Sequence, residues 1–288
     1  MKKDMKTDEI IIPHPKSREG SKTKQINFYI KNLLIILVLL WDFSLYSFDN
    51  QKVETLNLVI VQTYPHDTNA FTQGLIFYQN KLYESTGLYG QSCLKEINPS
   101  DGKTTQKYLL PRHLFAEGIA LNHQELIQLT WKEGIALVYQ LNPIRLIRQI
   151  TYEGEGWGLC YDKEDNFFYM SNGSSELLKR HPRDFTIEKT IPVTWNGQPV
   201  KFLNDLICVE KYIYANVWNA DYIIRLDKET GIVNGIINAS QLLPKKIKQS
   251  LGYESVLNGI AYNEIANTFY LTGKLWPYLY EVKFETVP

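Results

Sequence analysis

A five-residue unit recurs along the chain: an apolar or variable residue, any residue, a distinctive third residue, a small one, then Leu or Ile. It reads FTQGL at 71–75, FAEGI at 115–119, EGWGL at 155–159, FLNDL at 202–206 and VLNGI at 256–260. The third positions are Gln73, Glu117, Trp157, Asn204 and Asn258, spaced 44, 40, 47 and 54 residues apart. Ten to twelve residues after each of them a second strand pattern begins, in YESTG (83–87), QLTWK (128–132), YMSNG (169–173), YANVW (214–218) and YLTGK (270–274). Further alternating stretches follow, such as ALVYQLN (136–142), YIIRLD (222–227) and YLYEVKF (278–284). Periods of 40 to 50 residues, each with about four short strands, describe propeller blades. The expected fold is therefore all-β, a five-bladed β-propeller with its site in a central funnel.

The connections agree with that expectation. Turn signals stand at NPSDGK (98–103), DKEDN (162–166) and DKETG (227–231), where Pro, Gly, Asn and Asp favour reversal of the chain. The longest spacing holds LPKKIKQSLG (243–252), with Pro near its start and Gly at its end, the signature of a short inserted helix. The leading strand LNLVIVQTY (56–64) is expected to close the ring against the last blade, since an unpaired edge invites aggregation.

In a propeller the innermost strands converge on one axis, so equivalent repeat positions face one mouth. That geometry gathers Gln73, Glu117, Trp157, Asn204 and Asn258 into a ring, with Trp131, Trp218 and Lys274 from the second strands nearby. Pure structural repetition would place similar residues at these positions. Instead they comprise amides, indoles, an acid and an amine, the composition of a small-molecule or peptide-end site. Burial against aromatic faces would raise the pKa of Glu117 and suit it to proton transfer near neutral pH. Four bland readings stand beside this one: a buried Glu117–Lys274 ion pair, indoles that merely fill a core, turn capping by Asn204 next to Asp205, and Lys274 as a solvated strand-end charge.

Composition narrows the field further. The chain has 288 residues, 44% of them hydrophobic, and no net charge. Its first 48 residues carry eight Lys/Arg against five Asp/Glu, which leaves 23 against 26 in the remainder. The body is thus mildly acidic and has no footprint for nucleic acid. The five histidines show no paired ligand spacing, so no metal site is assigned. Cys93, Cys160 and Cys208 are widely spaced and read as buried thiols, with one disulfide left open. Before the body, a Lys-rich flank precedes the nine-residue apolar run at 33–41, the layout of an export signal. Residues 1–48 are accordingly a signal or anchor segment, with 26–48 as the stretch that would anchor, and 52–288 the catalytic propeller. The expected location is periplasmic or extracellular, with any membrane contact made through that segment and the body monomeric.

At FTQGL, ESTGLYGQS, FAEG, EGWGL, LNDL, ANVW and TGKLWP the sequence resembles the plant and bacterial glutaminyl-peptide cyclotransferases, over about residues 58 to 284. The resemblance implies a five-bladed propeller that converts the N-terminal glutamine of peptides and proteins to pyroglutamate and releases ammonia. It implies Glu117 as the essential carboxylate. Phe71, Gln73, Phe115, Trp131, Trp157, Asn204, Trp218 and Lys274 match the substrate-binding residues. No cofactor is required, although members of the family can carry a structural metal ion in the central channel. Two other classes remain open: propeller lactonases that hold a divalent metal, for which Glu117, Asn204, Asp205 and Asn258 could be ligands, and non-catalytic propellers that bind peptide ends.

Overall fold

The computed structural model describes residues 53–123 and 125–286; the segment read as an export signal or anchor, residues 1–48, lies outside the described residues. Blade 1 is formed by Thr72–Tyr78, Lys81–Thr86, Cys93–Ile97 and Thr104–Leu109, and blade 2 by Ala116–Asn122, Glu125–Thr130, Ile135–Gln140 and Arg145–Thr151. Blade 3 is formed by Leu159–Asp162, Phe167–Met170, Glu176–Arg180 and Ile187–Pro192, and blade 4 by Leu203–Val209, Tyr212–Val217, Tyr222–Asp227 and Val233–Asn238. Blade 5 has Leu257–Asn263, Thr268–Gly273 and Tyr278–Thr286, and its outer strand is the leading strand Glu54–Pro65. The ring therefore closes as the sequence implied. The closure has an added element: Glu54, Thr55 and Leu56 also pair in parallel with the outer strand of blade 4.

The strands read as apolar runs because both of their faces are covered. In blade 2, Ile119, Leu126, Leu137 and Tyr139 point into a cluster shared with blade 1. Their neighbours Ala120, Ile127, Ala136 and Val138 point into a cluster shared with blade 3. This is the period-two alternation of a strand, spent on two different neighbours. One such cluster fills each interface around the ring. That between blades 5 and 1 is the smallest, with six buried residues. An ionic network supplements it: His66 binds the Trp276 carbonyl of blade 5 at 2.7 Å and the Glu84 carboxylate of blade 1 at 2.9 Å, and Thr72 donates to Glu84 at 2.7 Å.

The repeat has a packing origin. The inner strands of successive blades touch around the whole ring, and the small fourth position of each unit sits at those contacts. A Cβ on Gly158 would lie 1.8 Å from the Asn204 carbonyl oxygen of the next blade. Blade 4 departs from the rule and carries Asp205 at this position, fully buried.

The helix falls at Lys245–Ser250, after Pro244, inside the stretch that predicted it. The thiols require a correction. Cys160 and Cys208 form a disulfide that joins the inner strands of blades 3 and 4, while Cys93 is free and buried. Their separation of 48 residues hid the pair, because only the register of neighbouring blades brings the two sulfurs together. By chain entropy such a crosslink stabilises the fold by about 4 kcal/mol.

Candidate active site

One backbone hydrogen bond explains why distant residues share a mouth. In four blades the residue that follows the second strand donates its N–H to the first residue of the repeat unit: Gly87 to Phe71, Trp131 to Phe115, Trp218 to Phe202 and Lys274 to Val256, at 2.8 to 2.9 Å. The side chains after the second strands are thereby held beside those at the starts of the inner strands. Blade 3 is shifted in register: Ser171 donates its N–H to the carbonyl of Gly158, the fourth residue of the unit, and accepts from Trp157 N–H, both at 3.0 Å. Gly173, at φ +78°, has the Trp157 ring directly over it, and a Cβ there would lie 2.6 Å from the indole.

The side chains meet as the repeat predicts. Gln73, Glu117, Asn204 and Lys274 are 3 to 5% exposed, and Asn258 is fully buried. Asn258 Nδ2 donates to Gln73 Oε1 at 3.3 Å, and Gln73 Nε2 donates to Glu117 Oε1 at 2.8 Å. This chain fixes the orientation of the Gln73 amide and aims it at the acid. Phe71 stands edge-on to Phe115 at 6.3 Å, and Phe115 to Trp131 at 5.6 Å. Across the pocket Trp157 meets Trp218 at 6.4 Å, and Trp218 meets Phe202 at 5.9 Å. Gln73 and Glu117 are thus in direct contact, Phe71, Phe115 and Trp131 form one aromatic group with Lys274 over Phe71, and Trp157 and Trp218 form another, while the Asn204 side chain makes no hydrogen bond to any of them. Trp218 is the most open of them, at 43% exposure.

Electrostatics separates Glu117 from an ordinary carboxylate. Burial pushes its pKa well above the usual value, partly offset by Lys274 and reinforced by the charges of Glu155, Asp205 and Glu133. Burial likewise lowers the Lys274 ammonium, partly offset by Glu117. Among the described residues no basic nitrogen lies within the 4.0 Å of an ion pair from Glu117. Lys274 Nζ lies instead over the Phe71 ring, 4.6 Å from its centre. Burial thus disfavours the charged form of each group, and no direct contact neutralises either, which leaves a carboxyl group and an amine buried close together.

Asp205 is a different kind of acid. Its Oδ2 accepts the backbone N–H of Leu75 in blade 1 at 3.2 Å and of Ile260 in blade 5 at 2.9 Å. The sequence placed it only as a neighbour of Asn204 and as a ligand in the lactonase alternative, although an acid at the small repeat position was a visible signal of a structural role. Glu155, Tyr89 and Glu133 were missed as well. Tyr89 donates to Glu133 at 2.9 Å and lies edge-on to Phe115 at 5.3 Å.

The donors at the hub bear on whether it could hold a metal ion. Among the described residues no group of three or more His, Cys, Asp or Glu side chains converges. Asp205 is already committed to backbone N–H groups, which leaves its Oδ1 and that of Asn204 as unpaired oxygens. Two such oxygens supply only part of a divalent ion's shell, the rest of which water or backbone carbonyls would have to complete, and they fall short of the four side-chain ligands of the lactonase alternative.

Fold and site together define a five-bladed propeller whose acid lies at the hub, within an aromatic mouth. The chain matches the family model described as glutamine cyclotransferase over residues 34–284, and it belongs to that family. It is 34% identical over 228 residues to the glutaminyl-peptide cyclotransferase of Arabidopsis thaliana, covering 78% of this chain and 71% of that one. The crystal structure of Myxococcus xanthus glutaminyl cyclase superposes with a TM-score of 0.77 at 37% identity, covering 82% of this chain and all of the other.

Proposed function

We propose that this chain is a glutaminyl-peptide cyclotransferase, an acyltransferase that converts the N-terminal glutamine of peptides and proteins to pyroglutamate. The α-amine of the substrate attacks its own γ-carboxamide carbon. A C–N bond closes the lactam, the old C–N bond breaks, and the departing nitrogen leaves as ammonia. The single observation that carries this reading is Glu117: a buried acid with a raised pKa, aimed by Gln73, at the centre of an aromatic pocket. As a carboxylate it takes the proton of the attacking amine, and as an acid it returns that proton to the leaving nitrogen.

The remaining residues divide the work. Gln73 has both ends of its amide engaged, one with Asn258 and one with Glu117, so it orients the acid. Lys274 and Asn204 are the groups placed to steady the carboxamide oxygen as it gains charge. The aromatic walls hold the glutamine side chain folded back on its own amine, removing rotational freedom before the bond forms. Trp131, Trp157 and Trp218 are the partly open rings, and they are the ones that give way to admit the residue.

No cofactor takes part in this scheme. The protein is exported, to the periplasm or outside the cell, by residues 1–48, of which 26–48 could anchor it. The catalytic body is residues 52–288, acting as a monomer. The Cys160–Cys208 disulfide supports export, since such bonds persist in oxidising compartments. The test of the activity is ammonia release from a glutaminyl dipeptide, with formation of the lactam followed by mass. Absence of both products with the purified native protein overturns the reading.

A further inference from the structure

The first position of the repeat unit holds Phe71, Phe115, Phe202 or Val256 in four blades, and Glu155 in the fifth. A charge at an apolar repeat position asks for a partner. Glu155 has two: its Oε2 accepts the indole N–H of Trp131 at 2.9 Å and of Trp157 at 3.1 Å. Lys132 Nζ lies 3.9 Å from its other oxygen and 3.8 Å from the centre of the Trp131 ring.

The placement matters because the aromatic wall has two halves. Phe71, Phe115, Tyr89 and Trp131 are linked by ring contacts, as are Trp157, Trp218 and Phe202. Among the described residues no ring–ring contact joins the halves; the Glu155 carboxylate does. Hydrogen bonds to an ionised acceptor are about twice as strong as neutral ones, and two donors on one oxygen fix the tilt of both indoles together.

We propose that Glu155 is a positioning residue for the cyclisation: it ties the two halves of the wall and so sets the pocket width that keeps the glutamine side chain folded back. This rests on the reading given under Proposed function. The charged groups around Glu155 are Lys132 and, across the pocket, Glu117 with its neighbours Glu133 and Lys274.

The test uses the native protein, Glu155→Gln and Glu155→Leu, each labelled with [15N]tryptophan. In the native protein two indole N–H resonances, those of Trp131 and Trp157, should carry the downfield shift of a hydrogen bond to one carboxylate. Both should move upfield together in Glu155→Leu. Turnover of a glutaminyl dipeptide by Glu155→Leu should fall about a hundredfold, mostly in kcat, as expected for a misplaced reacting group. Glu155→Gln keeps an acceptor oxygen and should regain activity to within about tenfold of native, a rescue that simple loss of packing would not give. Movement of only one indole, or of neither, overturns the proposal, as does a native kcat in Glu155→Leu. If both indoles move while the native protein makes no pyroglutamate, the bridge stands and the cyclotransferase reading falls.

Discussion

Blades 2 and 4 each bury a carboxylate at the hub, and the two acids have nearly opposite surroundings. Asp205 reaches across the axis to the backbone N–H groups of Leu75 and Ile260, tying blade 4 to blades 1 and 5. Glu117 receives one side-chain amide, from Gln73, and faces the aromatic mouth. Burial raises both acids well above the ordinary carboxylate range; the backbone donors pull Asp205 partly back, and Lys274 does the same for Glu117. Depth alone therefore does not mark a catalytic acid. A carboxylate held through one oxygen by main-chain N–H groups of two blades ties the structure together, and one left with a single adjustable donor is free to exchange a proton.

Substitutions can break this contrast. Glu117→Gln should leave the fold intact and lower kcat/KM at least a hundredfold, the usual loss for a removed acid–base group; turnover of a dipeptide checks it. Asp205→Ala should act the other way. It strands backbone N–H groups of two blades, at about 1–3 kcal/mol each, and denaturant titration would show the loss. Asp205→Asn, which keeps an acceptor oxygen, should cost under about 1 kcal/mol. Equal losses of activity in the Glu117 and Asp205 variants at matched stability would erase the distinction.

Converting Cys160 and Cys208 to Ser should lower stability by about 2–4 kcal/mol without changing kcat. The sulfurs lie three and four residues along their strands from Trp157 and Asn204, about 10–13 Å from the mouth. The smallest effect concerns pH and stability. Because burial raises the carboxyl of Glu117 in the folded state, its contribution is whole below about pH 4.5 and is lost as pH rises through the higher folded value. Glu117→Gln should thus raise the melting temperature at pH 8 by a few degrees and leave it unchanged at pH 4.

Much of this was legible in the chain. The blade count, the closing strand and the short helix followed from a repeat that packing enforces, since each inner strand must keep a small residue where the next blade approaches. The ring of third positions was legible for the same reason, as equivalent positions face one mouth. What escaped was whatever depends on contacts between blades. Asp205 and Glu155 each break the repeat, one at the small position and one at the apolar position. Their partners lie on strands far away in sequence, so the break was visible and its purpose was not. The Cys160–Cys208 bond escaped likewise, because no local spacing encodes the register of two inner strands.

The central claim is that the hub holds Glu117 so that it loses and regains a proton well above the ordinary carboxyl range. The pH dependence of kcat/KM on a glutaminyl dipeptide reports the free enzyme's essential groups. The account predicts a rate that climbs with pH through a midpoint well above 4.5, the ordinary carboxyl value, and the disappearance of that limb from the residual rate of Glu117→Gln. A midpoint at the ordinary value, or the same limb surviving in the variant, would contradict it.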